Sequence, residues 1–257
     1  MEIKVFVATH KKYWMPPETD LYVPLHMGRE GKADLGYAGD NTGENISLKN
    51  PNYCELTGLY WAWKNVFADF IGLVHYRRYF TRRTSWTVEA RKEQILTRQE
   101  WEDKLARCPV IVPNKRRYWI ETNRSHYNHA HPREGLDRTE RIVQERYPEY
   151  LPFFTRVMNR TWAHMFNMFV MRRDLYAGYC EWLFGILFEL EKQLDISRYD
   201  AFQARVFGFI SELLLDVWLE KNSVEYKEQN VSFMEKQNWL VKGGAFLARK
   251  FSPNKKL

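Results

Sequence analysis

Apolar runs of β-branched residues alternate along this chain with stretches of helical period. Ile3 to Ala8 is such a run, and it predicts a buried strand that delivers Thr9 and His10 at its end. Residues 11 to about 50 show little periodicity. They carry Pro/Gly-rich turns, WMPPETD and YAGDNTGEN among them, and predict a long functional connection. NPNYCELTGLYWAWKN then predicts a helix: Asn50 caps it, Pro51 suits the first turn, and Leu56, Leu59, Tyr60 and Trp63 form one stripe. Phe70 to Val74 is a second buried strand, running out into His75, Tyr76, Arg77 and Arg78. Strand, long loop, helix, strand is the order of an α/β nucleotide-binding half.

Beyond Phe80, TRQEWEDKL predicts a short helix with a capping box of Thr97 and Glu100, and CPVIVP (108 to 113) a buried strand. NKRRYWIETNRSHYNHAHPREGLD reads as a basic, histidine-rich loop closed by a helix from about Leu136 to Arg146. A helix to about Asn159 follows, then a strand over AHMFNMFVMRR (163 to 173). Asp174 caps a long aromatic helix to about Gln193, and Tyr199 to Lys221 is a last helical region. With no repeat and no linker, the pattern predicts one α/β domain. Residues 1 to about 115 form its nucleotide half, about 116 to 225 its second half, and 240–257 a basic tail.

Composition narrows the partners. Aromatic residues make up 16% of the 257, enough for a large core and also for rings that line sugar or nucleobase sites. A net charge of +7 favours anionic partners such as phosphorylated small molecules, nucleic acid or anionic lipid. Cys54, Cys108 and Cys180 are too scattered for a disulfide framework or a zinc motif, and read as buried thiols in a reducing cytoplasm. The first residues read as a strand rather than a signal peptide, and no stretch reaches the ~20 apolar residues of a membrane span.

Four groups carry candidate chemistry. In α/β sheets ligands bind beyond the carboxyl ends of strands, where His75, Arg77 and Arg78 fall; forked guanidinium donors there suit a diphosphate. The loop GYAGDNTGENIS lacks the spacings of mononucleotide fingerprints, but its polar groups suit a ribose or a sugar. His126, His129 and His131 read as sugar-contacting, plain surface or zinc-binding residues. Glu212, in the apolar RVFGFISELLL, is a desolvated general base, a carboxylate paired with a group such as Arg205, or a plainly exposed acid; Gly208 just upstream would let a substrate approach the backbone. Asp216, one turn on, is its partner or rival.

KVFVATHK, DNTGENIS, NYCELTGLYWAWKN, GLVHYRRYF, HMFNMFVM and RVFGFISELLL together resemble a bacterial family from capsular and exopolysaccharide loci, long catalogued as a domain of unknown function and now classed as glycosyltransferases. The resemblance spans about Ile3 to Trp218. It implies a GT-A-like fold and transfer of galactofuranose or galactose from a UDP-sugar to a lipid-linked glycan, at the inner face of the cell membrane. It also implies that Thr9 and His10 cradle the uridine, that Asp40, Asn41 and Asn45 contact donor sugar or nucleotide, and that Lys64 faces phosphate. Asn167 would face sugar and acceptor, and Glu212 would be the base of an inverting displacement; the loop residues His126 and His131, read from their own chemistry as sugar-contacting, would then meet the acceptor. Where GT-A enzymes usually carry an Asp-x-Asp metal motif, this chain has HYRR. Fixed cations do a metal's work on a departing diphosphate, so the expectation is a transferase with no metal and no other cofactor. Rivals from other classes are a basic RNA-binding module, a zinc hydrolase built on the three histidines, and an inactive assembly scaffold.

Overall fold

The computed structural model describes residues 1–235; the basic tail at 240–257 lies outside them. In chain order the elements begin with β1 (Ile3–Thr9), β2 (Tyr22–His26), β3 (Ala38–Gly39), α1 (Asn50–Tyr53), α2 (Leu56–Asn65), β4 (Phe70–His75) and β5 (Arg78–Phe80). Then come α3 (Val88–Lys92), α4 (Arg98–Leu105), β6 (Val110–Pro113), β7 (Arg116–Arg117), α5 (Asn123–Ala130), α6 (Arg133–Arg146) and α7 (Leu151–Asn159). The last are β8 (Trp162–Ala163), β9 (Phe169–Arg172), α8 (Arg173–Gln193), α9 (Val206–Lys221), β10 (Lys227–Gln229) and β11 (Val231–Phe233). The capping box at Thr97 forms as its residue types predict.

One mixed sheet runs in the order β10-β6-β9-β4-β1-β2-β3, with β5 turning back from β4 to pair with β11. Every neighbour on that path is parallel except β9, which runs against β4 and β6. The carboxyl ends of β1, β2 and β4 therefore share one edge with the amino end of β9, and ligand sites of α/β sheets lie at such an edge.

Strand alternation divides the core into two layers. Phe6, Ala8, Ile71 and Leu73 face helices α2, α6, α7, α8 and α9, while Val5, Val7, Phe70 and Val74 pack with Tyr22, Tyr79, Phe80 and Trp101 on the other side. His75 continues the row of Ile71 and Leu73, and Tyr76 that of Val74. The two faces of the strand end are thereby handed different chemistry.

Several expectations fail for local reasons. The long connection hides β2 and β3, short strands without the alternation that marks a half-buried one. The helix foreseen from Asn50 to Asn65 breaks at Cys54, whose φ of 53° lies in the left-handed region, so α1 ends and α2 starts afresh. The histidine-rich stretch is no loop: Thr122 accepts from the Ser125 N–H and caps α5. The single strand over 163–173 is two strands parted by Phe166 and Asn167, with φ of 82° and 51°. Asp174 stands in the first turn of α8 and is chelated by Arg172.

Candidate active site

The break at Cys54 turns Glu55 out of the helical run and toward the strand edge. There the Asn167 amide donates to Glu55 Oε1 at 2.7 Å and to the Gly208 carbonyl at 3.2 Å, and Asn167 Oδ1 accepts from the Ser211 hydroxyl at 2.8 Å. The neighbouring Phe166 carbonyl meets His75 Nε2 at 2.7 Å. One left-handed turn thus joins the ends of β4, α2 and α9. Two consecutive non-glycine residues in that region cost of order 1–3 kcal/mol each and persist only where their surroundings hold them, as hydrogen bonds to three elements do here.

Glu212 lies one residue beyond Ser211, on the turn of α9 so tethered. Burial pushes its carboxyl up to about 7, with Glu55 adding to the rise; Arg78, Arg116 and the Phe166 backbone oppose it. Arg78 pairs across from His75 in the β4–β5 hairpin, so both side chains share a face. Its guanidinium is sandwiched by Phe166 and Phe233, with ring centroids at 4.6 and 5.0 Å. Burial lowers the Arg78 pKa, and Glu212 and Glu55 partly restore it. Burial likewise lowers His75, which favours the neutral imidazole. Tyr118, just after β7, stacks on His126 with centroids 4.0 Å apart, and its hydroxyl is pushed up to about 12, mainly by burial. Among the described residues, Arg78 Nε and the Tyr118 hydroxyl have no hydrogen-bond partner although both are buried.

The other face of the strand end holds a cation–aromatic cluster. His10 and Tyr13 make edge contacts with Tyr76, and the Arg77 guanidinium sits 4.8 Å above Tyr76 while pairing with Glu235 at 3.0 Å. The site therefore has two poles: a carboxylate pair under Arg78, and an aromatic corner beside Arg77.

A family model described as Domain of unknown function (DUF4422) matches residues 4–223. The chain belongs to DUF4422. Its structure is similar to the apo structure of the WbbM bifunctional glycosyltransferase, with a TM-score of 0.82 and 28% identity over 92% of this chain. That match covers 46% of the WbbM chain, so the present one spans about half its length. No curated protein matches it. The GT-A-like α/β fold of a glycosyltransferase family, implied by the motifs, is the fold this DUF4422 chain has.

Of the residues singled out from sequence, the structure gathers His75, Arg78, Asn167 and Glu212 around one point. Arg77 is directed to the opposite face because it occupies the turn rather than a paired position. Thr9 is buried with its hydroxyl committed to the Lys11 backbone, leaving His10 as the open side chain at the end of β1. Asp40 does not face a ligand. It is fully buried and accepts from the Gly28 and Arg29 amides and the Ser47 and Thr57 hydroxyls, which makes it the clasp of its loop. Asn41 donates to Glu30, and Asn45 spans Gly43 and Ser47, so both work inside the same loop. Lys64 is nine residues along α2 from Glu55, ~13 Å at helical rise, and pairs with Glu44 over the Trp63 ring. It does not reach the strand edge.

The DUF4422 histidines do not converge: His126 and His129 share Glu121, and His131 turns to Gln203, with Phe209 stacked on it at 4.1 Å. Among the described residues no group of three His, Cys, Asp or Glu side chains is arranged to hold a metal ion, which removes the basis of the zinc-hydrolase reading. Gly208 opens no path for substrate; a Cβ there would stand 3.3 Å from Cys54 Sγ, so its role is to let α9 approach α1. Asp216 is neither partner nor rival of Glu212. It is buried against His164 at 2.5 Å and Arg160 at 2.9 Å; burial pushes its carboxyl up, but these two partners outweigh that and hold it low. Glu55, Arg116, Tyr118 and Ser211 were not foreseen. The only signal for Glu55 was an acid at the mouth of an apolar stripe, and nothing in the sequence announced the helix break that aims it.

Proposed function

We propose that this protein transfers a sugar, galactofuranose or galactose, from a UDP-sugar to a lipid-linked glycan, with inversion at the anomeric carbon. The observation that carries the reading is Glu212: a carboxyl poised near neutrality, within the field of Arg78 and Arg116, at the strand edge of a glycosyltransferase fold. In its ionised form Glu212 takes the proton of an acceptor hydroxyl. The freed oxygen attacks the anomeric carbon as the bond to the diphosphate oxygen breaks, and the leaving charge settles on Arg78, with Arg77 on the nucleotide side. His10, Tyr13 and Tyr76 supply rings for the base and ribose.

GT-A enzymes commonly place a divalent metal on the diphosphate, and the residues here do not fit one. The strand that would carry acidic ligands ends in His75 and Arg78, and the two carboxylates nearby face guanidiniums.

A net charge of +7 and the basic tail support weak attachment to an anionic membrane, where a lipid-linked acceptor resides. Co-sedimentation with anionic liposomes should fall with salt and with deletion of residues 246–257; indifference to both refutes the attachment. Among the described residues no helix is long and apolar enough to cross a membrane. The catalytic reading is tested by a thermal-shift screen of nucleotides and UDP-sugars, followed by product analysis on a synthetic lipid acceptor. UDP should raise Tm more than UMP, and a UDP-sugar should give a glycoside of inverted configuration. No shift with any nucleotide, or a retained configuration, overturns the corresponding half of the proposal.

A further inference from the structure

One aromatic group beside Glu212 has no part in the chemistry above. Phe209 precedes Glu212 by three residues on α9, so the two side chains are neighbours on one helix face. The His131 ring lies 4.1 Å from Phe209 at an interplanar angle of 27°, and Phe202 lies 5.8 Å from His131 at 24°. Phe202 also packs on Phe209, with centroids 5.2 Å apart at 48°, so the three rings form one cluster, and Phe202, 52% exposed, carries it out to solvent.

The cluster is built in advance. His131 Nδ1 is hydrogen-bonded to Gln203 Oε1 at 3.0 Å, and Gln203 Nε2 donates to the Ala130 carbonyl at 3.0 Å. Asp200 accepts from the Phe202 and Gln203 amides, which holds the turn that presents the Phe202 ring. Arg205 spans the platform and the site: its guanidinium lies 5.4 Å from the Phe209 centroid, and its Nε donates to Cys54 Sγ at 3.0 Å, next to Glu55.

We propose that Phe202, His131 and Phe209 form the stacking platform for the acceptor glycan, on which a sugar ring rests with its reactive hydroxyl toward Glu212. The identification rests on the transferase reading for its direction, and on the chemistry of the surface for its ligand. A sugar ring carries C–H bonds on its faces and hydroxyls on its edge. It therefore needs a flat apolar support flanked by polar groups, which the three rings and Arg205 together with Gln203 supply. A lone exposed ring is ordinary on a protein surface. Three mutually packed rings, braced by polar side chains and joined to Glu212 through the shared face of α9, form a built subsite.

The test uses Phe202→Ala and Phe202→Trp, changes at an exposed ring that leave the core intact. Binding is read by saturation-transfer NMR with methyl glycosides of galactose, glucose, mannose and N-acetylglucosamine, and with octyl galactoside. Turnover is read on the synthetic lipid acceptor, and UDP affinity by calorimetry. The alanine variant should lose the methyl-glycoside signal and raise the acceptor KM about five- to tenfold, with a smaller fall in kcat and unchanged UDP affinity; tryptophan should restore both. An unchanged acceptor KM or glycoside signal in Phe202→Ala overturns the proposal. So does an equal loss of UDP affinity, which would assign the rings to the nucleotide, or a Phe202-dependent signal from octyl galactoside alone, which would assign them to the lipid chain. If the wild type transfers sugar from no UDP donor, the transferase reading fails by itself. The platform is then judged by the glycoside signal, whose absence overturns it.

Discussion

Replacing Glu212 with Gln should produce two effects of opposite sign. Burial and Glu55 move the carboxyl from its ordinary 4.5 to about 7, a change worth about 3 kcal/mol against the ionised form in the folded state. Glu212 is partly exposed, and solvent screening reduces that to about 1–3 kcal/mol. In the unfolded chain the group ionises near 4.5, so between there and about 7 the native state binds more protons than the unfolded one. Stability therefore falls as pH rises through this window, and above it the full penalty is carried. Gln keeps the shape and cannot ionise. At about pH 8 the variant should unfold higher than wild type by about 3–8 °C, and the difference should shrink toward zero near pH 4.5. Turnover should fall about 10²- to 10⁴-fold, with UDP affinity retained, while the wild-type rate climbs with pH to a plateau above about 7. Thermal unfolding from pH 5 to 8 and initial rates over the same range provide both readings. A variant that turns over near the wild-type rate, or whose stability difference ignores pH, refutes the assignment of Glu212 as a desolvated base.

Arg78→Ala should cost about 2–4 kcal/mol in kcat/KM, and wild-type activity should persist in excess EDTA; activity lost in EDTA and restored by manganese would refute the cation role. Asp216→Ala strands the His164 and Arg160 partners of a buried carboxylate and should lower stability by about 3–5 kcal/mol in urea unfolding. Since Asp216 is held below its usual pKa, its contribution is present above about 4 and disappears as pH falls through the lowered folded value; a wild-type stability that rises on acidification in that range counts against it. Lys64→Ala should leave UDP affinity unchanged by calorimetry, because the ammonium is engaged with Glu44 at the far end of α2; a loss of tenfold or more would return Lys64 to the donor site.

What the residue pattern determined by itself were the elements whose burial is local and periodic. β1, β4 and β6 are continuous apolar runs, and α6, α7, α8 and α9 carry their buried apolar positions within a few residues of one another, so each is legible without its neighbours. The chemistry at the end of β4 was legible for the same reason, since an apolar strand must deliver whatever follows it to the sheet edge. Tertiary structure decided everything that depends on which strand lies beside which. β9 enters between β4 and β6 in the antiparallel sense, and that reversal brings Asn167 and Phe166 level with His75. Pairing with His75 fixed Arg78 on one face, while the turn put Arg77 on the other, against Tyr76 and Glu235. The left-handed residue at Cys54 aimed Glu55 at the Asn167 amide, 112 positions away along the chain. Local preference cannot encode such meetings. A hydrogen bond between distant residues is stable only after the sheet that joins them has formed, and neither the helix break nor the carboxylate pair leaves a periodic trace in the sequence.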